Sequence, residues 1–137
     1  MKKAILFIFL ILVTVTAFGQ SLQKRNIVGL HTFSLDLDPD VTFNQYKDFF
    51  IQKYIPELDK HYPDVRHYFV TGNRGENGND IGLMVVFESQ EIKKKYYNED
   101  GSRTDLTVTL QERVQPVRDE LDKLGTVTAQ YTEWMIQ

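Results

Sequence analysis

Apolar and polar residues change their spacing several times along the chain, and each change marks an expected new element. The segment Asn26–Leu37 carries large apolar residues on both alternating faces, which predicts a strand covered on both sides. In the range Phe43–Lys60, apolar residues recur every three or four positions, which is the period of a helix. Thr42 and Gln45 fit a capping box at its start, and Pro56 predicts a kink or a separate last turn near its end.

The second half of the pattern predicts two strands, two helices and a last strand. The strands are expected at Val65–Gly72 and Asp80–Ser89, and the second of them is apolar on both faces. A short helix should end near Tyr97, and a long helix follows because apolar residues keep the helical spacing over Leu106–Leu124. The final strand is expected at Thr126–Gln137.

Capping and breaking residues set the expected limits of the long helix. Ser102 and Asp105 fit a capping box at its start, Pro116 predicts a kink, and Gly125 predicts its end. With these limits the element order is strand, helix, strand, strand, helices, strand. This is the split βαβ pattern of ferredoxin-like folds, which predicts an α+β domain with a four-stranded antiparallel sheet and helices on one face.

The predicted sheet has one face without helices, and that face should not be open to water. The first and third strands are apolar on both faces, so a partner should cover the second face. Two such sheets facing each other form a dimeric barrel with twofold symmetry. We therefore predict a homodimer.

The element order, the chain size and the two-faced strands resemble the dimeric α+β barrel superfamily over Ile27–Ile136. That group includes cofactor-free monooxygenases of the antibiotic-biosynthesis type and haem-degrading monooxygenases, and the segment Phe49–Asn77 resembles secreted bacterial members. The resemblance implies the fold, whereas one fold hosts many functions. The haem-degrading residue set is not reproduced, because Trp134 falls on the last strand and the second long helix has no histidine. No cofactor is expected.

The first nineteen residues have the pattern of a secretory signal peptide. Lys2 and Lys3 precede an apolar run, and small residues follow at Ala17 and Gly19. The run falls short of the roughly 20 residues that a membrane-spanning helix needs. We predict cleavage after Gly19, a single α+β domain at residues 20–137, and a secreted or periplasmic protein without membrane contact after cleavage.

Composition excludes several kinds of site. The chain has no cysteine, which excludes disulfides, thiolate metal sites and a cysteine nucleophile. Its net charge is −3, and loss of the two signal lysines makes the mature chain more acidic, which argues against nucleic acid as a partner. The histidines His31, His61 and His67 have no metal-binding spacing, so no metal site is predicted.

The stretch TGNRGENGND, Thr71–Asp80, has three evenly spaced glycines and raises the question of a phosphate or calcium loop. It leads into a strand and lacks the lysine and hydroxyl of a Walker loop. A calcium-binding nonapeptide pattern fails at Glu76 and Gly82 and occurs once, whereas that site needs stacked repeats. We interpret the stretch as a hairpin loop, with Asn73 and Arg74 at a pocket rim or a dimer contact.

Aromatic and histidine side chains are the remaining sign of function. His31 shares a strand face with Phe33 and Leu35, so it is either a hydrogen-bonded residue at the core edge or a pocket residue. Apolar pockets with a few polar groups are typical ligand sites. The candidate pocket residues are His31, Tyr54, His67, Tyr68, Tyr131 and Trp134. The alternative is that these side chains form ordinary core and dimer interface.

Three functions remain open at this point. The first is a homodimeric barrel that binds a small apolar or aromatic ligand. The second is a cofactor-independent monooxygenase or isomerase with its pocket near His31. The third is a structural or interaction module without catalysis. No motif of nucleophilic catalysis is present, so no catalytic residue is assigned.

Overall fold

The computed structural model describes residues 21–73 and 80–137, which form one antiparallel sheet with helices against it. The elements are β1 (Ile27–Leu37), α1 (Phe43–Phe49), a π-helical turn (Phe50–Tyr54), α2 (Ile55–His61), β2 (Val65–Thr71), β3 (Ile81–Phe87), α3 (Gln90–Tyr96), α4 (Asp105–Asp122) and β4 (Gly125–Met135). The strand order is β2-β3-β1-β4, and each neighbouring pair is antiparallel. The predicted ferredoxin-like α+β fold is confirmed. No helix in the described part of the chain is long and apolar enough to cross a membrane.

The first helical segment begins as predicted and is divided next to its proline. Thr42 caps α1 by accepting a hydrogen bond from the Gln45 amide, and the Gln45 side chain completes the capping box. Pro56 lies in the first turn of α2, directly after the π-helical turn, in which the Ile55 amide donates to the Phe50 carbonyl. A proline cannot donate to the preceding turn and crowds it, and a wider turn relieves both problems. The chain therefore stays helical from Phe43 to His61.

The long helix α4 is continuous, and its cap is not the predicted one. Thr104 is the N-cap and accepts a hydrogen bond from the Thr107 amide, so the capping box expected at Ser102 and Asp105 is wrong. Pro116 lies inside the helix without ending it. Gly125 does not cap α4 but begins β4, two residues after the C-cap Lys123.

The core lies between the helices and one face of the sheet. Alternation along the strands turns Ile27, Val65, Leu83 and Phe87 towards the helices, and all four are buried. The helices contribute buried residues to the same cluster: Tyr46, Phe50, Leu58, Tyr96, Leu110, Val114 and Leu121.

The opposite face of the sheet is also partly apolar, as the two-faced strands predicted. One row across it pairs Tyr68, Met84, Leu30 and Thr132 on four successive strands. Trp134 belongs to the same face and is 52% exposed.

The glycine-rich stretch connects two antiparallel strands, as predicted. Thr71 pairs with Ile81, and the Gly72 amide donates to the Asp80 carbonyl over 2.7 Å. Residues 74–79, which include Arg74, lie outside the described residues.

Candidate functional site: a cavity between sheet and helices

A cavity of about 700 Å³ lies between the helix-facing side of the sheet and the helices. The strands supply residues such as His31, His67 and Tyr131, while Phe50 and Tyr54 come from the first helical segment. The lining also includes Tyr62, Tyr97, Arg103, Val114, Arg118, Asp122, Ala129 and Glu133. Because Val127 and Tyr131 on β4 also line the cavity and stay 38% and 49% exposed, it opens on the β4 side.

Strand alternation explains which strand residues reach the cavity. His31 is paired with Leu83 on one side and with Tyr131 on the other, and all three line the cavity. Residues paired across neighbouring strands project to the same face. The position of His31 on β1 therefore places an imidazole in the middle of the cavity's sheet side.

His67 forms a hydrogen-bonded pair with a carboxylate at one end of the cavity. Its Nδ1 lies 2.8 Å from Asp59 Oδ1 of α2, and the imidazole is nearly fully buried. Burial lowers the pKa of His67, although the hydrogen bond with Asp59 acts in the opposite direction. A carboxylate oxygen can only accept, so Nδ1 donates and the other ring nitrogen, Nε2, keeps its lone pair. Within the described residues Nε2 makes no hydrogen bond.

A second polar array runs from His31 towards the cavity opening. The His31 and Tyr131 rings are in contact at a centroid distance of 4.6 Å, and the Tyr131 hydroxyl donates to Glu133 over 2.7 Å. Lys93 of α3 pairs with the same carboxylate at 2.6 Å. Burial is the larger cause that raises the pKa of Tyr131, and the contact with Glu133 raises it further. The hydroxyl therefore stays protonated and can donate a hydrogen bond. Gly29 leaves room for this ring, because a Cβ there would lie 2.6 Å from the hydroxyl oxygen.

Burial is the main influence on the protonation of both cavity histidines. Burial lowers the pKa of His31, and a charge on His67 would lower it further. Both imidazoles are therefore neutral at neutral pH and can accept a proton or a hydrogen bond. The cavity thus combines an aromatic lining with two neutral, basic rings.

The structure brings together four of the predicted pocket residues and separates the others. His31, Tyr54, His67 and Tyr131 line the cavity. The strand register places Tyr68 and Trp134 on the opposite face of the sheet. Asn73 is exposed beyond the end of β2 and does not line the cavity, and Arg74 lies outside the described residues.

Asp59 and the cavity arginines were not predicted from the sequence. Asp59 has the appearance of a solvated helix carboxylate, and its side chain is indeed half exposed. Its contact with His67 links α2 to the next strand across a turn, and no local spacing signals it. The described residues hold no cluster of three histidine or acidic side chains suited to a metal ion.

The protein is similar to known proteins in its three-dimensional structure, and no similarity of sequence to a family was found. No family model and no curated protein matches the sequence. A mutant of SnoaB, a cofactor-independent oxygenase from Streptomyces nogalater, is similar at a TM-score of 0.49 and 11% identity over 82% of this chain and 94% of that chain.

Two further solved structures are similar at lower scores. Unmutated SnoaB has a TM-score of 0.45 and 10% identity over 82% of this chain and 94% of its own. The designed protein Foldit4 has a TM-score of 0.38 and 16% identity over 78% of this chain and 94% of its own. Because all three scores are below 0.5, the fold assignment rests on strand order and connectivity.

Proposed function

We propose that the protein binds a small, mostly apolar ligand in the cavity between sheet and helices. One observation carries the proposal: a space of about 700 Å³ is lined by 16 aromatic or aliphatic side chains, together with ten polar or charged ones. Ligand pockets generally have volumes of about 300–1,000 Å³ and this kind of lining. The neutral rings of His31 and His67 supply the polar contacts that would orient the ligand.

Native mass spectrometry of the purified protein tests this proposal. A binder should carry a small molecule of defined mass, and Ala129→Phe should displace it because Ala129 lines the cavity from β4. Glu112→Phe is the matched control, since Glu112 is exposed on α4 outside the lining. Ligand mass retained in Ala129→Phe would contradict the proposal, and so would a protein that neither carries nor takes up any small apolar compound.

A specific observation also favours a second function, a cofactor-independent isomerase or oxygenase. The Asp59 carboxylate holds His67 through Nδ1, which leaves Nε2 as a base for a ligand in the cavity. A positioned base of this kind contributes about 10²–10⁴-fold to the rate of a proton transfer. An isomerase would return the proton to another carbon of the substrate, whereas an oxygenase would use dioxygen as the second substrate.

This second function has a controlled test, because His67 and His61 each contact a carboxylate but only His67 lines the cavity. Oxygen uptake and deuterium incorporation from heavy water are followed for aromatic ketones and polyphenols. His67→Gln should abolish turnover and Asp59→Asn should reduce it strongly. His61→Gln should leave it unchanged, because His61 makes a similar 2.9 Å contact with Glu57 but does not line the cavity. Equal activity in His67→Gln and the parent protein would exclude His67 as the base.

We further propose that the protein acts as a homodimer outside the cytoplasm. Support for the dimer comes from the apolar residues on the open face of the sheet, among them Tyr68 at 37% and Trp134 at 52% exposure. The signal pattern of the first nineteen residues supports export. N-terminal sequencing of the exported protein should then give Gln20 as the first residue, and an intact Met1 would contradict export by cleavage.

A further inference from the structure

Two arginines line the cavity, and neither side chain makes an ion pair or hydrogen bond with residues 21–73 or 80–137. Arg103 lies in the turn between α3 and α4, and Arg118 lies on α4. Neither guanidinium pairs with any acidic residue that the structure describes. Both side chains are exposed, so they lie at the open edge of the cavity. An unpaired guanidinium there can donate its hydrogen bonds to a ligand.

The turn that carries Arg103 is held in a defined shape. Tyr97 and Arg103 form an antiparallel bridge, and the Asn98 amide donates to the Ser102 carbonyl over 2.8 Å. Gly101 closes the turn with a φ of 81°, a conformation that favours glycine. Arg103 is therefore presented to the cavity by an ordered hairpin.

The electrostatics of the cavity tyrosines place both guanidinium groups beside one set of phenols. Burial raises the pKa of Tyr54, and Arg118 opposes that rise. Burial likewise raises the pKa of Tyr97, and Arg103 opposes it. The two phenols also influence each other, which indicates that they lie close together. The two arginines thus act on a common region of the cavity.

Most carboxylates in the lining are already occupied. Glu133 is bound by Lys93 and Tyr131, and Glu99 is bound by Lys94. Asp100 accepts from the Ser102 amide. Within the described residues, Asp122 is the one lining carboxylate that makes no ion pair or hydrogen bond. The lining therefore holds two unpaired guanidinium groups and one unpaired carboxylate.

We infer that the ligand is an amphipathic organic anion, with an aromatic or aliphatic body and an acidic group that Arg103 and Arg118 bind. The acidic group is a carboxylate, a sulfonate or an ionised phenol, each of which accepts hydrogen bonds from a guanidinium. This inference rests on the proposed ligand-binding function. The body fills the aromatic part of the cavity, and the charge remains at its more polar side.

A matched pair of fluorescent probes separates the inference from the proposed function. Anilinonaphthalene sulfonate and N-phenylnaphthylamine share one aromatic body and differ in the sulfonate. We expect the sulfonate to bind more tightly. Arg103→Gln and Arg118→Gln should each weaken sulfonate binding by about tenfold, as expected for a lost charged hydrogen bond. Both should leave the affinity for the neutral probe unchanged.

Three further variants control for charge and for location. Arg113→Gln removes an exposed arginine of α4 that does not line the cavity, and it should change neither affinity. Asp122→Asn should strengthen sulfonate binding by removing a repelling carboxylate. Ala129→Phe should weaken both probes if they occupy the cavity. Near-ultraviolet circular dichroism confirms that each variant keeps its tertiary structure.

The outcomes distinguish failure of the anion inference from failure of the proposed ligand-binding function. If the neutral probe binds and the sulfonate gains nothing, or if the arginine variants weaken both probes equally, the inference is wrong while the binding function survives. If neither probe binds, or if Ala129→Phe leaves both affinities unchanged, the cavity does not take ligands of this class. The binding function and the inference then fail together.

Discussion

At the scale of single residues, Gly29 in β1 and Gly82 in β3 permit close contacts that a Cβ atom would obstruct. A Cβ on Gly82 would lie 2.4 Å from the His31 carbonyl oxygen, which belongs to the backbone and cannot move away. A Cβ on Gly29 would instead meet the ring of Tyr131, a side chain that is half exposed. The two sites therefore differ in how the obstruction can be relieved.

We predict that Gly82→Ala destabilises the protein more than Gly29→Ala. Forcing β1 and β3 apart should cost about 2–3 kcal/mol in the free energy of unfolding. Displacing the Tyr131 ring should cost about 1 kcal/mol, the value of a lost aromatic contact. Urea denaturation measures both, and an equal or reversed order would contradict the prediction.

The cavity histidines should make stability depend on pH. Burial lowers the pKa of His67 and of His31 in the folded state, so the unfolded chain binds protons first as the pH falls. The stabilising effect of the neutral rings is complete above the ordinary histidine pKa of about 6.5 and decreases below it. The free energy of unfolding should therefore decrease from about pH 7 towards pH 5.5.

Substitution of His67 and His31 tests whether these two residues cause the pH dependence of stability. His67→Gln should flatten the decrease in part, and the double variant with His31→Gln should flatten it further. Urea denaturation at a series of pH values provides the measurement. A slope unchanged in the double variant would mean that other groups titrate in this range.

The sequence predicts individual cavity residues only where alternation along a strand decides which face of the sheet a side chain occupies. His31 and Tyr131 were both candidates, and the register shows them as direct cross-strand partners. Tyr68 and Trp134 were grouped with them because they are aromatic, although alternation turns them to the other face. Asp59 was missed because its contact with His67 depends on how a helix packs against a strand, which no local spacing encodes.

At the scale of elements, the sequence predicts the helices and strands better than the details at their ends. The apolar period identifies a helix over Phe43–Lys60, and the observed helical segment ends at His61. Pro56 was expected to kink it or to separate its last turn, and a π-helical turn directly before the proline separates α2 from α1. Two hydroxyl residues compete as the cap of α4, and the choice of Thr104 over Ser102 reflects contacts with α3.

Those contacts lead to a prediction about the cap of α4. The Thr104 hydroxyl donates to the Lys95 carbonyl over 2.8 Å and accepts from the Thr107 amide. Thr104→Ala should therefore lower the free energy of unfolding by about 1 kcal/mol, or somewhat more. Ser102→Ala is the matched control and should have little effect, because its hydroxyl makes an exposed contact with Asn98. Thermal denaturation of the three proteins tests the difference, and equal midpoints for the two variants would contradict it.

At the scale of the whole molecule, the topology follows from the sequence because helical and strand periods alternate clearly. The apolar character of both faces of β1 and β3 is the basis for the proposal that a second copy covers the open face. Val28 and Val86 on that face are buried, whereas Trp134 and Tyr68 remain exposed. Strand periodicity shows that a face is apolar, but it contains no information on what covers the face.

The proposed homodimer gives the prediction at this scale. If a second copy covers the open face, light scattering should report twice the chain mass, and Trp134→Glu should yield a monomer because a buried unpaired carboxylate is costly. Val108→Glu is the matched control, since Val108 is equally exposed on α4, away from the sheet. It should leave the dimer intact. A parent protein that scatters as a monomer at micromolar concentration would exclude the dimer, and a dimer that persists in Trp134→Glu would place the interface elsewhere.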